Sequence, residues 1–233
     1  MALPKINGTP KYDMTIPSTN ETVRFRPFLV KEEKVLMMAM ESNDNNQMLN
    51  SIVDTLDACI EDGVNKSKLT TFDVEYMFTK LRAKSVGETS KVGVQCTHCE
   101  EQNEVVINVE DIKVDVPEVD HMIDLGNDIK VETRWPCYSD IIKLNPEGNS
   151  TDQVFAILRA SLAAVHTNDE RIDLKDETEK EVQDFIESMN RTQFEMLQKF
   201  IEDMPKLSHD VKFKCSSCGE DNTVLLEGMQ SFF

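Results

Sequence analysis

The sequence predicts an α+β protein with an N-terminal β-hairpin and helices, antiparallel strands, and C-terminal helices. Three observations support this class. Apolar residues alternate in runs near both ends of the chain, and they recur at helical spacing between those runs. Two Cys-x-x-Cys motifs, Cys96/Cys99 and Cys215/Cys218, are each flanked by strand-like residues. Such motifs at the turns of hairpins are typical of zinc ribbons, so the pair predicts a split, zinc-ribbon-like site with four cysteine ligands.

Composition and charge narrow the class of protein. The 233 residues are 39% hydrophobic and 29% charged, which is typical of globular proteins. The net charge of −18 disfavours nucleic acids and anionic membrane surfaces as partners, because phosphate binding requires Lys and Arg. No apolar run reaches the roughly 18–20 residues that span a bilayer, and no secretory signal is recognisable. We therefore expect a reducing cytosol, in which the six cysteines are poor candidates for disulfides.

The N-terminal region is predicted to form a hairpin and three helices. Apolar residues alternate on both sides of the turn-forming segment 17–21, which places a hairpin over residues 12–28. The predicted helices run over 31–41, from the polar break 42–46 to about Gly63, and onward from Thr70 or Thr71. Methionines in the first helix could line an adaptable groove, but we expect core packing for them. They are Met37, Met38 and Met40.

The rest of the chain is predicted to alternate strands with helices. Strands are expected around 92–94 and 105–107, at 112–116, 120–125 and 128–134, and at 209–214 and 222–227. One helix, capped by Asp152, extends to Leu162 and is followed by a charged loop at 168–171. The last two helices start with capping boxes, in which a Thr precedes a Glu by three residues. These pairs are Thr178 with Glu181 and Thr192 with Glu195.

We divide the chain into four segments that together form one compact unit. They are 1–90 with the hairpin and helices, 91–136 with the first Cys-x-x-Cys motif (the first knuckle) and antiparallel strands, the helical segment 137–207, and 208–233 with the second Cys-x-x-Cys motif (the second knuckle).

An internal echo connects the two cysteine motifs. Each Cys-x-x-Cys is followed at the same offsets by an asparagine and a valine; the copies are Cys96, Cys99, Asn103 and Val105, and Cys215, Cys218, Asn222 and Val224. Although 115 residues separate the knuckles, counted from Glu100 to Lys214, a folded insertion can return the chain to the same point. The shared offsets predict one structural zinc ion on four thiolates. The alternatives are two unrelated pairs, a ribbon without metal and, more remotely, a thioredoxin-like redox site.

Other residues that could carry chemistry are given structural roles. His98 lies inside the first knuckle and could replace a cysteine ligand, but we expect a solvated turn residue. Cys59 and Cys137 are expected to be packed. No catalytic motif is recognisable. The terminal Phe232 and Phe233 must either tuck into the core or anchor a partner.

Several segments resemble the baseplate hub assembly proteins of T-even-like, contractile-tailed phages. They are 15–19 (TIPST), 25–34 (FRPFLVKEEK), 72–76 (FDVEY), 81–88 (LRAKSVGE), the first Cys-x-x-Cys, and the terminal FKCxxCG with its Phe-Phe ending. The resemblance covers nearly the whole chain. It implies a non-enzymatic assembly factor or accessory subunit that contacts other baseplate or hub proteins. It also implies action in the host cytoplasm during assembly or in the virion tail baseplate, and it supplies no catalytic residues.

Two further function classes are weighed against this one. A nucleic-acid-binding zinc ribbon, such as a transcription accessory factor, needs basic or aromatic residues near the knuckles, which instead carry mainly Glu and Asp. A metalloenzyme needs an open metal position, whereas four cysteines close the shell. The strand-to-helix corner 26–34 is either a contact surface or an internally packed turn.

Overall fold

The computed structural model describes residues 8–42, 44–143 and 150–232. These residues form two compact units, one containing 8–66, 72–115 and 206–232, the other 67–71, 116–143 and 150–205. The sequence favoured one unit of four segments. Its second segment, 91–136, is divided after Asp115, because the strands before and after this point belong to different sheets.

The architecture is α+β, and every strand pairing among the described residues is antiparallel. The helices are α1 (Val30–Glu41), α2 (Asn45–Cys59), α3 (Thr71–Val86), α4 (Tyr138–Ile142), α5 (Ser150–Ser161), α6 (Glu179–Glu187) and α7 (Arg191–Glu202). The strands are β1 (Tyr12–Thr15), β2 (Thr22–Phe25), β3 (Thr89–Gln95), β4 (Gln102–Asn108), β5 (Lys113–Val114), β6 (Met122–Gly126), β7 (Ile129–Thr133), β8 (Leu162–His166), β9 (Arg171–Asp173), β10 (Leu207–Lys214) and β11 (Asp221–Glu227).

The first unit joins the N-terminal hairpin β1–β2, helices α1 to α3, the hairpin β3–β4 and the sheet β11–β10–β5. The predicted N-terminal hairpin and helix order is confirmed, although α2 ends at Cys59 rather than near Gly63. Asp44 caps α2 by accepting hydrogen bonds from two backbone N–H groups; Asn43 lies outside the described residues. One core cluster packs both cysteine-bearing hairpins against α3 and contains Ala83, Val92, Val94, Ile107, Val109, Ile112, Leu207, Val211 and Phe232.

The corner between β2 and α1 is fixed by a nearly buried ion pair. The Arg26 guanidinium donates to Glu32 Oε1 at 2.9 Å, and the Leu29 N–H donates to Glu32 Oε2 at 2.8 Å. Burial raises the pKa of the Glu32 carboxyl, but these donors outweigh it and hold that pKa below its ordinary value. The inner side of the corner 26–34 is therefore internally packed.

The outer face of α1 contradicts the prediction for its methionines. Met37, Met38 and Met40 are 56%, 58% and 62% exposed, whereas Leu36 and Ala39 are buried. The buried residues of α1 occupy one side of the helix, and three of the five residues 36–40 fall outside it. Apolar character alone could not identify which residues of this segment face the core.

The second unit contains the sheet β6–β7–β8–β9 and helices α4 to α7. Strands β8 and β9 and the short α4 were not predicted. Leu162 begins β8 rather than ending a helix, and Arg171 begins β9 rather than ending the charged loop. A short apolar run such as Leu-Ala-Ala-Val fits a buried strand or a buried helix equally well. Here the run forms a strand because it pairs with β7 along one edge.

Two helix starts also differ from the prediction. Helix α5 begins at Ser150, so Asp152 lies within its first turn. Helix α7 is capped by Asn190 together with Gln193, not by Thr192 with Glu195. The box at Thr178 and Glu181 is confirmed at the start of α6. In α7 two overlapping capping patterns compete, and asparagine is at least as good an N-cap as threonine.

The C-terminal residues of the first unit return to the core. Phe232, in a short 3₁₀ helix, is fully buried, and Ser90 Oγ donates to its carbonyl oxygen at 2.7 Å. Of the two predicted outcomes for this aromatic end, the structure thus shows the packed one for Phe232, while Phe233 lies outside the described residues. Over the part of the chain that is described, no helix has both the length and the apolar character to span a membrane.

Candidate metal centre

The two Cys-x-x-Cys motifs lie at equivalent turns of two antiparallel hairpins. In the first hairpin the turn between β3 and β4 is closed by the Cys96 N–H, which donates to the Glu101 carbonyl at 2.9 Å. In the second, between β10 and β11, the Cys215 N–H donates to the Glu220 carbonyl at the same distance. Each turn, termed here the first knuckle (96–99) and the second knuckle (215–218), therefore presents two sulfurs from one tight loop.

Each knuckle is followed by a residue in the left-handed backbone region. Gly219 has φ +75° and Glu100, at the matching position, has φ +61°. Glycine adopts this conformation without strain, whereas a residue with a Cβ does so less readily. The N–H groups of these two residues donate back to Cys215 and Cys96 carbonyls at 3.1 and 3.0 Å. The same turn thus forms in both copies, with Glu100 at the position that Gly219 occupies in the second.

All four sulfurs of the two knuckles meet at one point. They lie within 4.8 Å of one another, and two of the pairs that join the knuckles are in direct contact: Cys96 Sγ to Cys218 Sγ is 3.7 Å, and Cys99 Sγ to Cys215 Sγ is 3.6 Å. A tetrahedral zinc with Zn–S bonds of about 2.3 Å requires sulfurs about 3.8 Å apart. The four predicted site residues are therefore brought together at a separation that fits such an ion.

Exposure is distributed symmetrically over the four thiols. Cys96 and Cys215, the first cysteine of each knuckle, are buried, whereas Cys99 and Cys218 are exposed. Backbone N–H groups point at the buried sulfurs: His98 N lies 3.4 Å from Cys96 Sγ, and Ser217 N lies 3.4 Å from Cys215 Sγ. N–H groups directed at sulfur favour the thiolate, which is the form that binds metal.

The thiol pKa values reflect this arrangement. Hydrogen bonds from the N–H groups of Cys218 and Ser217 lower the pKa of Cys215 to about 6, against the effect of desolvation. The Glu220 N–H lowers the pKa of Cys218, but desolvation and the neighbouring sulfurs raise it to about 12. Four thiols this close cannot all ionise unless a cation compensates their charge. A metal ion would supply that compensation.

The asparagines of the sequence echo connect the knuckles. Asn103 Oδ1 accepts from the backbone N–H and the hydroxyl of Ser216, both at 2.9 Å. Asn222 Oδ1 accepts from the same two groups of Thr97, at 2.9 and 2.8 Å. Both asparagines are buried. The sequence showed them at shared offsets but gave them no role, because only the folded hairpins reveal that each contacts the opposite knuckle.

The remaining histidines and cysteines lie outside this cluster. His98 is exposed within the first knuckle and is not among the ligands of the four-cysteine group. Cys59 is buried in α2, and burial raises the pKa of its thiol to about 11. Cys137 is half-buried before α4, in the second unit. The packed roles expected for Cys59 and the solvated role expected for His98 are both confirmed.

Comparison with known proteins places the chain in a family. The family model described as "T4 bacteriophage base plate protein" matches residues 9–233. The chain belongs to this family. Among curated proteins it is similar to the baseplate hub assembly protein gp26 of Enterobacteria phage T4, with 26% identity over 223 residues, which cover 96% of this chain and 97% of that protein. No solved structure matches it. The predicted family is therefore confirmed, and members of it are phage baseplate proteins with a structural or assembly role.

Proposed function

We propose that this protein helps to assemble the baseplate hub through contacts with other hub or baseplate proteins and does not catalyse a reaction. The name of the T4 relative, a baseplate hub assembly protein, supports this role. We place its action in the host cytoplasm during assembly, and in the tail baseplate for any copies that stay in the virion. In this proposal the four clustered thiolates hold a structural zinc ion.

The donor set favours a structural rather than a catalytic metal. Catalytic zinc keeps one position for water or substrate, whereas four cysteines complete the tetrahedron. The ion would fasten two hairpins that are far apart in sequence, and the free energy of metal binding would add to that of folding. The result is a rigid first unit that can present a surface to a partner.

The observation that carries the contact role is the apolar outer face of α1. Large apolar side chains on this one helix are exposed by 48–79%. They are Val30, Val35, Met37, Met38 and Met40. Large apolar side chains exposed together on one helix can mark a binding site. Methionines suit such a surface because their flexible side chains adapt to a partner.

The charges on this helix indicate what kind of partner fits. The exposed Lys31 and Lys34 balance the exposed Glu33 and Glu41, so the outer face is nearly neutral on a chain with net charge −18. Burial of apolar area, rather than attraction between opposite net charges, would then drive the contact. We infer a hub protein with an apolar groove that receives a helix.

Co-purification with individual hub proteins tests this role. Tagged full-length protein is co-expressed with each hub protein of its own phage, and complexes are isolated by affinity and size-exclusion chromatography. Met37→Lys should abolish the complex without lowering the thermal midpoint. The matched control is Val106→Lys, which changes a 61% exposed residue on β4 of the same unit and should leave the complex intact. If no hub protein co-purifies, the assembly role is wrong; if Met37→Lys still binds, the contact lies elsewhere.

The nucleic-acid-binding zinc ribbon receives less support. Exposed acidic residues surround the knuckles at Glu100, Glu101 and Glu220, and the exposed Lys91 is paired with Glu104 at 2.7 Å. These charges repel phosphates. Tight DNA or RNA binding that weakens steeply with salt would reverse this ranking.

A further inference from the structure

We propose that Asn103 and Asn222 are paired positioning residues of the metal site, each ordering the knuckle of the opposite hairpin. The proposal rests on the zinc site proposed above. Neither asparagine would touch the ion. Their role would be to fix the backbone of the two knuckles so that four sulfurs converge before metal arrives.

Each asparagine connects its own hairpin to the other one. The Nδ2 of Asn103 donates to the Glu101 carbonyl in its own turn at 2.9 Å. Its Oδ1 accepts hydrogen bonds from the backbone N–H and the hydroxyl of Ser216 in the opposite knuckle. Asn222 repeats this pattern, with Nδ2 donating to the Glu220 carbonyl at 2.9 Å. An amide can donate and accept at once, whereas a carboxylate only accepts and an alanine does neither. The residue type is therefore the one that this double connection requires.

The bonds are made at the point that determines where the sulfurs lie. The residues held across the site, Thr97 and Ser216, directly follow the first cysteine of each knuckle. Fixing that N–H fixes the peptide plane next to Cys96 or Cys215, and with it the direction of the Cα–Cβ bond. In metal sites generally, groups behind the ligands orient them, and their loss weakens metal affinity by roughly 10–100-fold.

The two asparagines differ in one contact. Asn103 Nδ2 also lies 3.7 Å from Cys215 Sγ, so it can donate to that sulfur as well as to its own turn. Within the described ranges, Asn222 makes no matching contact with a sulfur. Donation to sulfur stabilises a thiolate. Changes at Asn103 should therefore weaken metal binding more than the same changes at Asn222.

A purely structural role is the competing explanation, because buried amides usually need partners. It predicts that replacing either asparagine lowers the stability of the protein, without a larger loss of metal affinity at Asn103 than at Asn222. Positioning predicts that metal affinity and the thiolate-to-metal spectrum change together, with the larger change at Asn103.

The experiment uses the full-length protein, with cobalt(II) as a spectroscopic probe and zinc affinity measured against a chromophoric chelator. Asn103→Ala and Asn222→Ala should each bind zinc 10–100-fold more weakly and shift the cobalt–thiolate bands. The matched controls are the exposed neighbours on the same strands, Gln102→Ala and Thr223→Ala, which should stay within about 2-fold of the wild type.

Near-isosteric variants cover the case in which the alanine variants do not fold. Asn103→Asp and Asn222→Asp keep the two acceptor bonds and lose the donors, and Asn103→Asp also places a charge beside Cys215. Asn103→Asp should therefore lose more zinc affinity than Asn222→Asp. Wild-type affinity in both Asp variants would overturn the positioning role while the zinc site stands. Equal losses in the two would overturn the additional role given to the contact between Asn103 and Cys215. A wild-type protein that binds neither cobalt nor zinc stoichiometrically would overturn the zinc site itself.

Discussion

Replacing Cys218 by serine should reduce stability mainly when zinc is bound. The Cys218 thiol is exposed, and its sulfur lies 3.7 Å from Cys96 Sγ. In the metal-free protein the change therefore resembles a surface substitution, with an effect within about 0.5 kcal/mol. In the zinc-bound protein the same change removes one of four ligands. The comparison of the two states separates a metal ligand from a packed thiol.

The expected size follows from mass action. A ligand at 1,000 times its Kd stabilises the folded state by about 4 kcal/mol. Structural zinc contributes roughly 10–16 kcal/mol over four ligands, so one ligand accounts for about 3 kcal/mol, or roughly 100-fold in affinity. At the same zinc concentration the variant would then gain only about 1.4 kcal/mol. In thermal midpoint this corresponds to a zinc-induced rise of roughly 8–16 °C for the wild type and roughly 3–6 °C for the variant.

Thermal denaturation followed by circular dichroism, with excess chelator or with excess zinc, measures both states. Ser217→Ala is the matched control, since Ser217 is exposed in the same knuckle and its backbone N–H to Cys215 is kept. His98→Ala should likewise respond to zinc as the wild type does. Cys96→Ser and Cys215→Ser, which alter buried thiols, should lower the midpoint markedly in both states. Equal zinc-induced shifts in wild type and Cys218→Ser, or none in the wild type, would refute a four-thiolate structural metal.

Three further predictions concern the first unit. Arg26→Ala should lower the free energy of unfolding by about 2–3 kcal/mol at pH 7, because it leaves the nearly buried Glu32 carboxylate with the exposed Lys31 as its remaining cationic partner, at 3.1 Å. The folded-state pKa of Glu32 is lowered, so the ion pair stabilises the protein above about pH 4.3, and this stabilisation is lost as the pH falls through the folded-state pKa. If urea denaturation shows that Arg26→Ala lowers the free energy of unfolding equally at pH 7 and pH 2, the pairing is contradicted. Phe232→Ala should lower the free energy of unfolding by about 3–4 kcal/mol, since the ring is fully buried, and a loss below about 1 kcal/mol would show that the ring is not core. Glu75→Gln should raise the thermal midpoint at pH 7 and have little effect below about pH 4. Burial raises the pKa of Glu75, against the effect of the Met229 N–H, so the ionised carboxylate destabilises the folded protein. A lower midpoint for the variant at pH 7 would contradict this.

The local elements that could be predicted are those with two independent signals. The hairpin at the N-terminus had alternating residues and a turn segment, and α6 had an apolar stripe and the capping box at Thr178, so both were located correctly. Strand β8 had only the apolar run from Leu162, which fits either type of element. Its identity depends on pairing with β7 and β9, which are distant or only weakly marked in the sequence. Pairing with other strands therefore determined the type of this element, which the local sequence pattern could not predict.

The convergence of the four cysteine sulfurs could be predicted from the sequence, but the residues that support the two knuckles could not. Four cysteines at paired spacing specify a ligand set, because zinc chemistry restricts which residues can bind. Nothing in the chemistry of asparagine specifies a partner in advance. Similarly, the outward position of Met37 and Met38 could not be read from residue type, since methionine suits both a core and an adaptable surface.

The equivalence of the two knuckles explains why the echo extends beyond the cysteines. Two hairpins that share one tetrahedron must each supply two sulfurs in the same geometry, so the atoms that shape one knuckle are needed again in the other. Because Asn103 acts on the second knuckle and Asn222 on the first, neither copy is complete within its own stretch of chain. A chain without the second hairpin would keep two sulfurs and lose the acceptor for Thr97 as well as two ligands. Metal binding in this arrangement would therefore depend on docking of both hairpins, whose strands β4 and β10 lie at the two ends of the 115 residues between the knuckles, counted from Glu100 to Lys214.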